Sequence, residues 1–131
     1  MSKPSMQSCR LMRLNVKVGA APAPDEDMNM RIDFNVALGD NPDVPNGRIL
    51  DLTANIEPEA DVFYSIEASA RALFMFEGDA SSPEAEEYLQ SIAPKEVMAS
   101  LRTMLDGVTA MFPYGPISIP DIDVSRIIFD S

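Results

Sequence analysis

Residues Val62 to Gly78 read VFYSIEASARALFMFEG, the longest uninterrupted strand-like run in the chain. Its even-numbered positions, Val62, Tyr64, Ile66, Ala68, Ala70, Ala72, Phe74 and Phe76, are all apolar, whereas Phe63, Ser65, Glu67, Ser69, Arg71, Leu73, Met75 and Glu77 are mixed. A period of two with one apolar side describes a β-strand with one fully buried face. At about 3.3 Å per residue such a strand spans about 50 Å, longer than the usual run of about 3 to 10 residues, so a bend or bulge is expected near its alanine-rich middle. A strand of this length requires long neighbours.

Three further segments supply them. Residues 9–18, CRLMRLNVKV, place Arg10, Met12, Leu14, Val16 and Val18 on one side and Cys9, Leu11, Arg13, Asn15 and Lys17 on the other, a half-buried first strand. The run 19–27, GAAPAPDED, has two prolines and an acidic cluster and reads as a loop or crossing segment. Residues 28–38 alternate most cleanly, with Met28, Met30, Ile32, Phe34, Val36 and Leu38 inward. The turn formers of 39–47 end in Asn46-Gly47, and residues 48–57 return with Leu50, Leu52, Ala54 and Ile56 on one side. With the strand at 62–78, the expectation is a four-stranded antiparallel meander, apolar on one face and wet on the other.

The cover for the apolar face follows. Ser82-Pro83-Glu84 is a helix start with Ser82 as N-cap and Pro83 at the first position. Pro94 interrupts, giving a short helix over 83–92 and a longer one over 95–111. Val97, Leu101, Met104, Leu105, Val108, Met111 and Phe112 form a broad apolar stripe on the second, which fits core or subunit contact. Phe112-Pro113-Tyr114-Gly115-Pro116 ends the helix, and the apolar, proline-broken remainder of 112–131 is expected to lie on the protein, finishing the core or edging a groove. The whole is one α+β domain, an antiparallel sheet with a long, Pro-interrupted helix packed on one side.

Composition narrows the function. Ten basic against 21 acidic residues, with no His, give a formal charge of −11, which repels phosphate backbones and argues against nucleic acid and anionic membrane as partners. The excess acid either keeps an oligomer with apolar patches soluble or docks to a basic partner. No run approaches the roughly 18 apolar residues of a membrane span, and the opening MSKPSMQSCR has no apolar signal region, so a cytoplasmic protein is expected. One cysteine, Cys9, permits no internal disulfide and fits a buried thiol. The only candidate catalysts are loop carboxylates, Asp25, Glu26 and Asp27 or Asp121 and Asp123, better read as solvated surface. The oxygens of Asp40-Asn41-Pro42-Asp43 lack calcium-loop spacing. Neither catalysis, a metal nor a cofactor is expected.

The order of elements and the tail resemble the SecB-type protein-export chaperones. The likeness rests on four long antiparallel strands, the helix entry Ser91-Ile92-Ala93-Pro94, and the exit FPYGPISIPDIDV at 112–124, in which Phe112, Pro113, Ile119, Pro120, Ile122 and Asp123 look like the matching positions. The strand end Phe74-Met75-Phe76-Glu77-Gly78 is similar as well. The resemblance implies a cytoplasmic chaperone, a dimer of dimers, that holds unfolded or extended polypeptides without nucleotide. On that reading the client contacts are Phe74, Phe76, Phe112, Tyr114, Ile117, Ile119, Ile122 and Val124, and the subunit contacts are Leu11, Leu101, Leu105 and Val108. Glu67 looks like an acidic contact for the export motor SecA, while Asn15 and Gly19, matched to others, are not acidic. Little chain follows the closing segment, which leaves small room for the family's final helix and its motor-binding, zinc-linked tail. Holding is therefore expected ahead of export. The alternatives are a solitary SecB-like module with a dedicated client, such as an antitoxin, and a carrier of a small apolar ligand. Nine Met and six Phe supply adaptable apolar surface for any of the three.

Overall fold

The computed structural model of the chain describes residues 4–21, 30–40, 43–44, 46–58, 63–117 and 128–130. Its elements are β1 (Ser5–Val18), β2 (Met30–Asp40), β3 (Gly47–Pro58), β4 (Tyr64–Met75), α1 (Pro83–Ser91), α2 (Ala93–Thr109) and β5 (Ile128–Asp130). The strands lie in the order β1-β4-β3-β2-β5, the first four antiparallel to their neighbours and β5 parallel to β2. The α+β architecture with helices on one side is as expected, but only β2, β3 and β4 form the expected meander. β1 instead closes against β4 in a Greek-key order, because the segment leading from β1 to β2 is long and proline-bearing rather than a tight hairpin. The end of the closing segment adds the short β5 to the outer edge of β2.

β4 is the axis, paired along its length with β1 on one side and β3 on the other. It is shorter than its apolar pattern. Phe63 sits at φ 63° and Gly78 at φ 130°, left-handed backbone that breaks the strand conformation just outside each end. The bulge expected in its alanine-rich middle is absent: β4 runs in unbroken register with β3 from Gly47↔Met75 to Ile56↔Ile66. The irregularities lie in the partner, where Gln7 and Met12 of β1 have no opposite residue on β4.

That displacement changes which side chains of β1 face the helices. An extra residue flips every later side chain to the other face. Cys9↔Ala72 and Leu11↔Ala70 before the second bulge, and Leu14↔Ala68 and Val16↔Ile66 after it, therefore share one face. Met6, Cys9, Leu11, Leu14 and Val16 pack against the core while Met12 is 59% exposed, which corrects the strict alternation read from the sequence. Cys9 is half-buried, and burial pushes its thiol pKa up against the opposing hydrogen bond with Ser100.

The core forms where this face meets the helices. Leu50, Leu52, Ala54 and Ile56 of β3 and Tyr64, Ala68, Ala70, Ala72 and Phe74 of β4 are fully buried, with Leu89 of α1 and Val97, Leu101 and Leu105 of α2 above them. The three alanines are small enough to let α2 lie close over the middle of the sheet. The helix break falls at Ile92, and Pro94 stands inside the first turn of α2, where its missing N–H has no helical partner to lose. Ser82 caps α1 as expected, accepting the Ala85 N–H at 3.2 Å.

Arg48 fixes the sheet end at which α1 lies. The residue is 8% exposed, and its guanidinium donates to Gly39 O at 3.2 Å, Ala80 O at 2.9 Å and the Glu86 carboxylate, with Asp40 3.3 Å away. It thus ties β2, β3, the β4–α1 loop and α1 together. Replacing it leaves two carbonyls and a half-buried carboxylate without their donor. Arg48→Met is expected to cost about 2–3 kcal/mol, read as a lower midpoint with unchanged slope in urea unfolding.

Candidate functional site

The sequence-predicted client residues fall at opposite ends of the sheet. Tyr64 and Phe74, on the same face of β4, are separated by about 33 Å at a rise of about 3.3 Å per residue. At the Phe74 end, Phe74 and Phe76 each meet the ring of Tyr88 edge-on with centroids 6.0 Å apart. Phe74 is fully buried and Phe76 is 9% exposed, so as placed here Phe74 is core rather than contact surface. Phe76 and Tyr88 instead floor a cavity of about 380 Å³ rimmed by Glu77, Asp79 and Glu84. The Tyr88 hydroxyl donates to Glu96 at 2.7 Å, and burial together with that carboxylate pushes the phenol pKa far up.

At the Tyr64 end the helix exit is knotted to the sheet. Phe112 N–H donates to Thr109 O at 2.9 Å and Gly115 N–H to Phe112 O at 3.1 Å, folding 112–115 into a turn in which Gly115 takes φ 76°. The Tyr64 hydroxyl sits inside this turn, accepting the Tyr114 N–H at 2.8 Å and donating to Gly115 O at 3.0 Å. The Tyr114 hydroxyl in turn donates to Gly19 O at 2.6 Å, just beyond β1. Phe63 closes the arrangement: its left-handed backbone exchanges hydrogen bonds with Gly19 and Ala20 at 2.7 and 2.8 Å. One step further on, buried Thr109 donates to Leu105 O at 2.6 Å and accepts the Ile117 N–H at 2.9 Å.

Four aromatic rings surround these hydrogen bonds. Tyr64 lies 4.1 Å from Phe63, 5.6 Å from Tyr114 and 5.7 Å from Phe112, and Phe63 also stacks on Tyr114 at 6.2 Å. Tyr64 is fully buried and Phe63 is 6% exposed, whereas Phe112 and Tyr114 are half-buried and keep ring surface at the outside. The chemistry on offer is a fixed apolar, aromatic surface with a polar tip. Such surfaces bind apolar side chains with little entropy loss.

The remaining expected site residues divide. Ile117 is 5% exposed and belongs to the core. Ile119, Ile122 and Val124 lie outside the described residues. Leu101 and Leu105, expected at a subunit contact, are consumed by the single chain's own core, while Leu11 and Val108 are half-buried. Glu67 stands on the uncovered face of the sheet, 3.2 Å from Arg13. Sequence reasoning missed Phe63 and Thr109. Phe63 occupies a position on the mixed face of the alternating pattern, and only its backbone turn buries it. Thr109 gave no periodic signal.

Gly115 and Gly107 offer a contrast that isolates backbone conformation, since a Cβ at either meets no atom within 4 Å. Gly115→Ala is expected to cost about 1–2 kcal/mol through its positive φ alone, whereas Gly107→Ala in α2 is expected to stabilise by about 0.5–1 kcal/mol. Thermal unfolding of the two variants checks the opposite signs.

No family model matches the chain, and no curated protein matches it in sequence. Among solved structures it is similar to the Mycobacterium tuberculosis Rv1957 SecB-like chaperone in complex with a ChAD peptide from the Rv1956 HigA1 antitoxin. The TM-score is 0.73 at 18% identity, over 91% of this chain and 90% of that one. A protein of unknown function from Streptococcus agalactiae gives a TM-score of 0.44 at 10% identity, over 93% of this chain and 99% of that one. Four antiparallel strands under a long, bent helix are thus not a chance arrangement of this chain: it has the SecB-like fold.

Proposed function

We propose that the protein is a holding chaperone that works without ATP, catalysis or cofactor and binds unfolded or extended polypeptide through apolar surface. The observation that carries this reading is the pair of half-buried rings, Phe112 and Tyr114, held rigidly where the apolar closing segment leaves α2. A chaperone needs apolar surface that is wet yet does not collapse into the core; the hydrogen bonds of Tyr114 with Tyr64 and Gly19, and the edge contact of Phe112 with the Tyr64 ring, hold these rings in that state. The fold neighbour's complex with an antitoxin peptide supports polypeptide as the client class and favours, as a second reading, one dedicated client of antitoxin type.

The proposed setting is the cytoplasm, and the proposed assembly is a homo-oligomer, a dimer of dimers. Among the described residues, apolar surface available to a second copy includes Met12, Val18, Ile92 and Met111, together with half-buried Leu11 and Val108. Export through SecA has less support, because Glu67 is already paired with Arg13 and its cross-strand neighbours Asn15 and Asn55 carry no charge.

Light scattering from a denatured, slowly folding test protein diluted into buffer without nucleotide tests the proposal. The wild type is expected to suppress aggregation near stoichiometric ratio. Phe112→Asp is expected to weaken suppression about tenfold while the protein stays folded, since truncating or charging one central aromatic removes much of a small interface. Equal loss of folding and holding makes Phe112 core. No suppression by a folded wild type leaves the dedicated-client reading.

A further inference from the structure

We infer that the Tyr64 hydroxyl is a positioning group for client binding: it presets the Phe112–Gly115 turn so that the outer rings meet a polypeptide without first having to be ordered. The inference rests on the holding reading and assigns it a residue that contacts no client itself. Tyr64 is fully buried, so its part can be played only through the turn.

The geometry separates this hydroxyl from an ordinary core group. A buried tyrosine needs one partner for its O–H, and the Gly115 carbonyl at 3.0 Å satisfies it. The same oxygen also accepts the Tyr114 N–H at 2.8 Å. One atom of the sheet thereby replaces the two bonds that successive residues of a loop would otherwise make with water. The turn needs that help, because Gly115 holds a positive φ and Pro113 and Pro116 bring no N–H of their own. Tyr114 then passes the constraint on: with its backbone held by Tyr64, its ring stacks on Tyr64 and its own hydroxyl reaches Gly19. Ile117, the next donor after the turn's own Gly115 N–H, is fixed independently by Thr109, so the turn is clamped from both sides and Tyr64 controls only the ring-bearing half.

Removing the hydroxyl leaves the ring contacts and the hydrophobic burial in place. Tyr64→Phe therefore frees the turn without opening a cavity. In a folded Tyr64→Phe protein, the Tyr114 amide is expected to exchange with solvent at least about tenfold faster while the Ile117 amide and the amides of β3 and β4 keep their rates. Affinity for a fluorescein-labelled extended peptide rich in Phe and Leu, followed by anisotropy well below the unfolding temperature, is expected to fall about five- to tenfold. Tyr114→Phe, which cuts only the link to Gly19, and Gly115→Ala, which strains the same turn by another route, are expected to weaken the peptide in the same direction, and they carry the test should Tyr64→Phe fail to fold.

Unchanged peptide affinity in folded Tyr64→Phe, with only a lower unfolding temperature, makes the hydroxyl purely structural and overturns the inference. Exchange that accelerates equally across the sheet overturns it too, since the hydroxyl then supports the whole fold rather than the turn. If the wild type binds no peptide and suppresses no aggregation, the holding reading itself falls and the inference with it. That result differs from the others because it appears before any variant is made.

Discussion

The buried face of β4 is the constraint on which the rest of the structure depends. A central strand has no free edge, so its side chains alone decide what lies above and below it. Here one face is Tyr64, Ile66, Ala68, Ala70, Ala72 and Phe74, large at both ends and small in the middle. The small middle admits α2 close to the sheet, and the large ends meet what the helices leave behind: Phe74 under Tyr88 of α1, Tyr64 under the turn after α2. The two candidate recognition surfaces stand at opposite ends of the sheet because the strand's own side chains taper inward from both.

The ends are fastened by different chemistry. At the α1 end a buried guanidinium gathers backbone carbonyls and carboxylates from several elements. At the other end hydroxyls do the work: Tyr64 and Tyr114 each reach a backbone group far away in sequence, and Thr109 bridges the end of α2 to Ile117 eight residues on. An ion cluster holds whole elements in register, where a few tenths of an ångström matter little. Hydroxyls with one donor and directional lone pairs fix the path of a single turn. The distinction matches their tasks, since α1 needs only to be docked whereas Phe112 and Tyr114 need a defined orientation.

Much of this fold was legible in the sequence, because alternation and breaker residues are local signals. The strand runs, Ser82 as cap and the stop at Phe112-Pro113 all depend on neighbours within a few positions: Ser82 is the cap itself, and the strand and helix ends fall within four residues of where the pattern puts them. Pairing is non-local, and for β1 the reading failed although β2, β3 and β4 pair as expected. Nothing in residues 9–18 says that Met12 is left unpaired, because a bulge is decided by the partner strand, and with it went the inward face of β1. β1 beside β4 rather than β2 is equally a matter of what a long connection permits. At the candidate site, Phe112 and Tyr114 lie in the turn that the breaker residues around them mark, while Phe74, Leu101, Leu105 and Ile117 are buried within this chain: an apolar stripe looks the same in sequence whether it covers a neighbour in the chain or waits for one outside it.

The uncovered face of the sheet shows why the adhesive surface stays confined. Across β4 it carries Arg71 clasping Asp51 at 2.8 and 3.1 Å, Ser69 against Thr53 at 3.1 Å and Glu67 against Arg13 at 3.2 Å, cross-strand pairs that meet each other's polar needs at the surface. Such pairs add little stability, since water screens exposed charges and holding two long side chains in one geometry costs entropy. Their effect is on what this stretch of the face can bind: side chains already paired across the strands offer an incoming apolar segment little to displace water from, and the apolar pair Ile49 and Leu73 lies beyond them toward the Phe74 end. With the other face beneath the helices, the large apolar side chains exposed among the described residues stand apart from one another: Met12 and Val18 on β1, Ile92 between the helices and Met111 at the helix exit. A chain with a net charge of −11 can carry that much apolar surface in water because the surface is divided among separate places rather than gathered on one flat sheet.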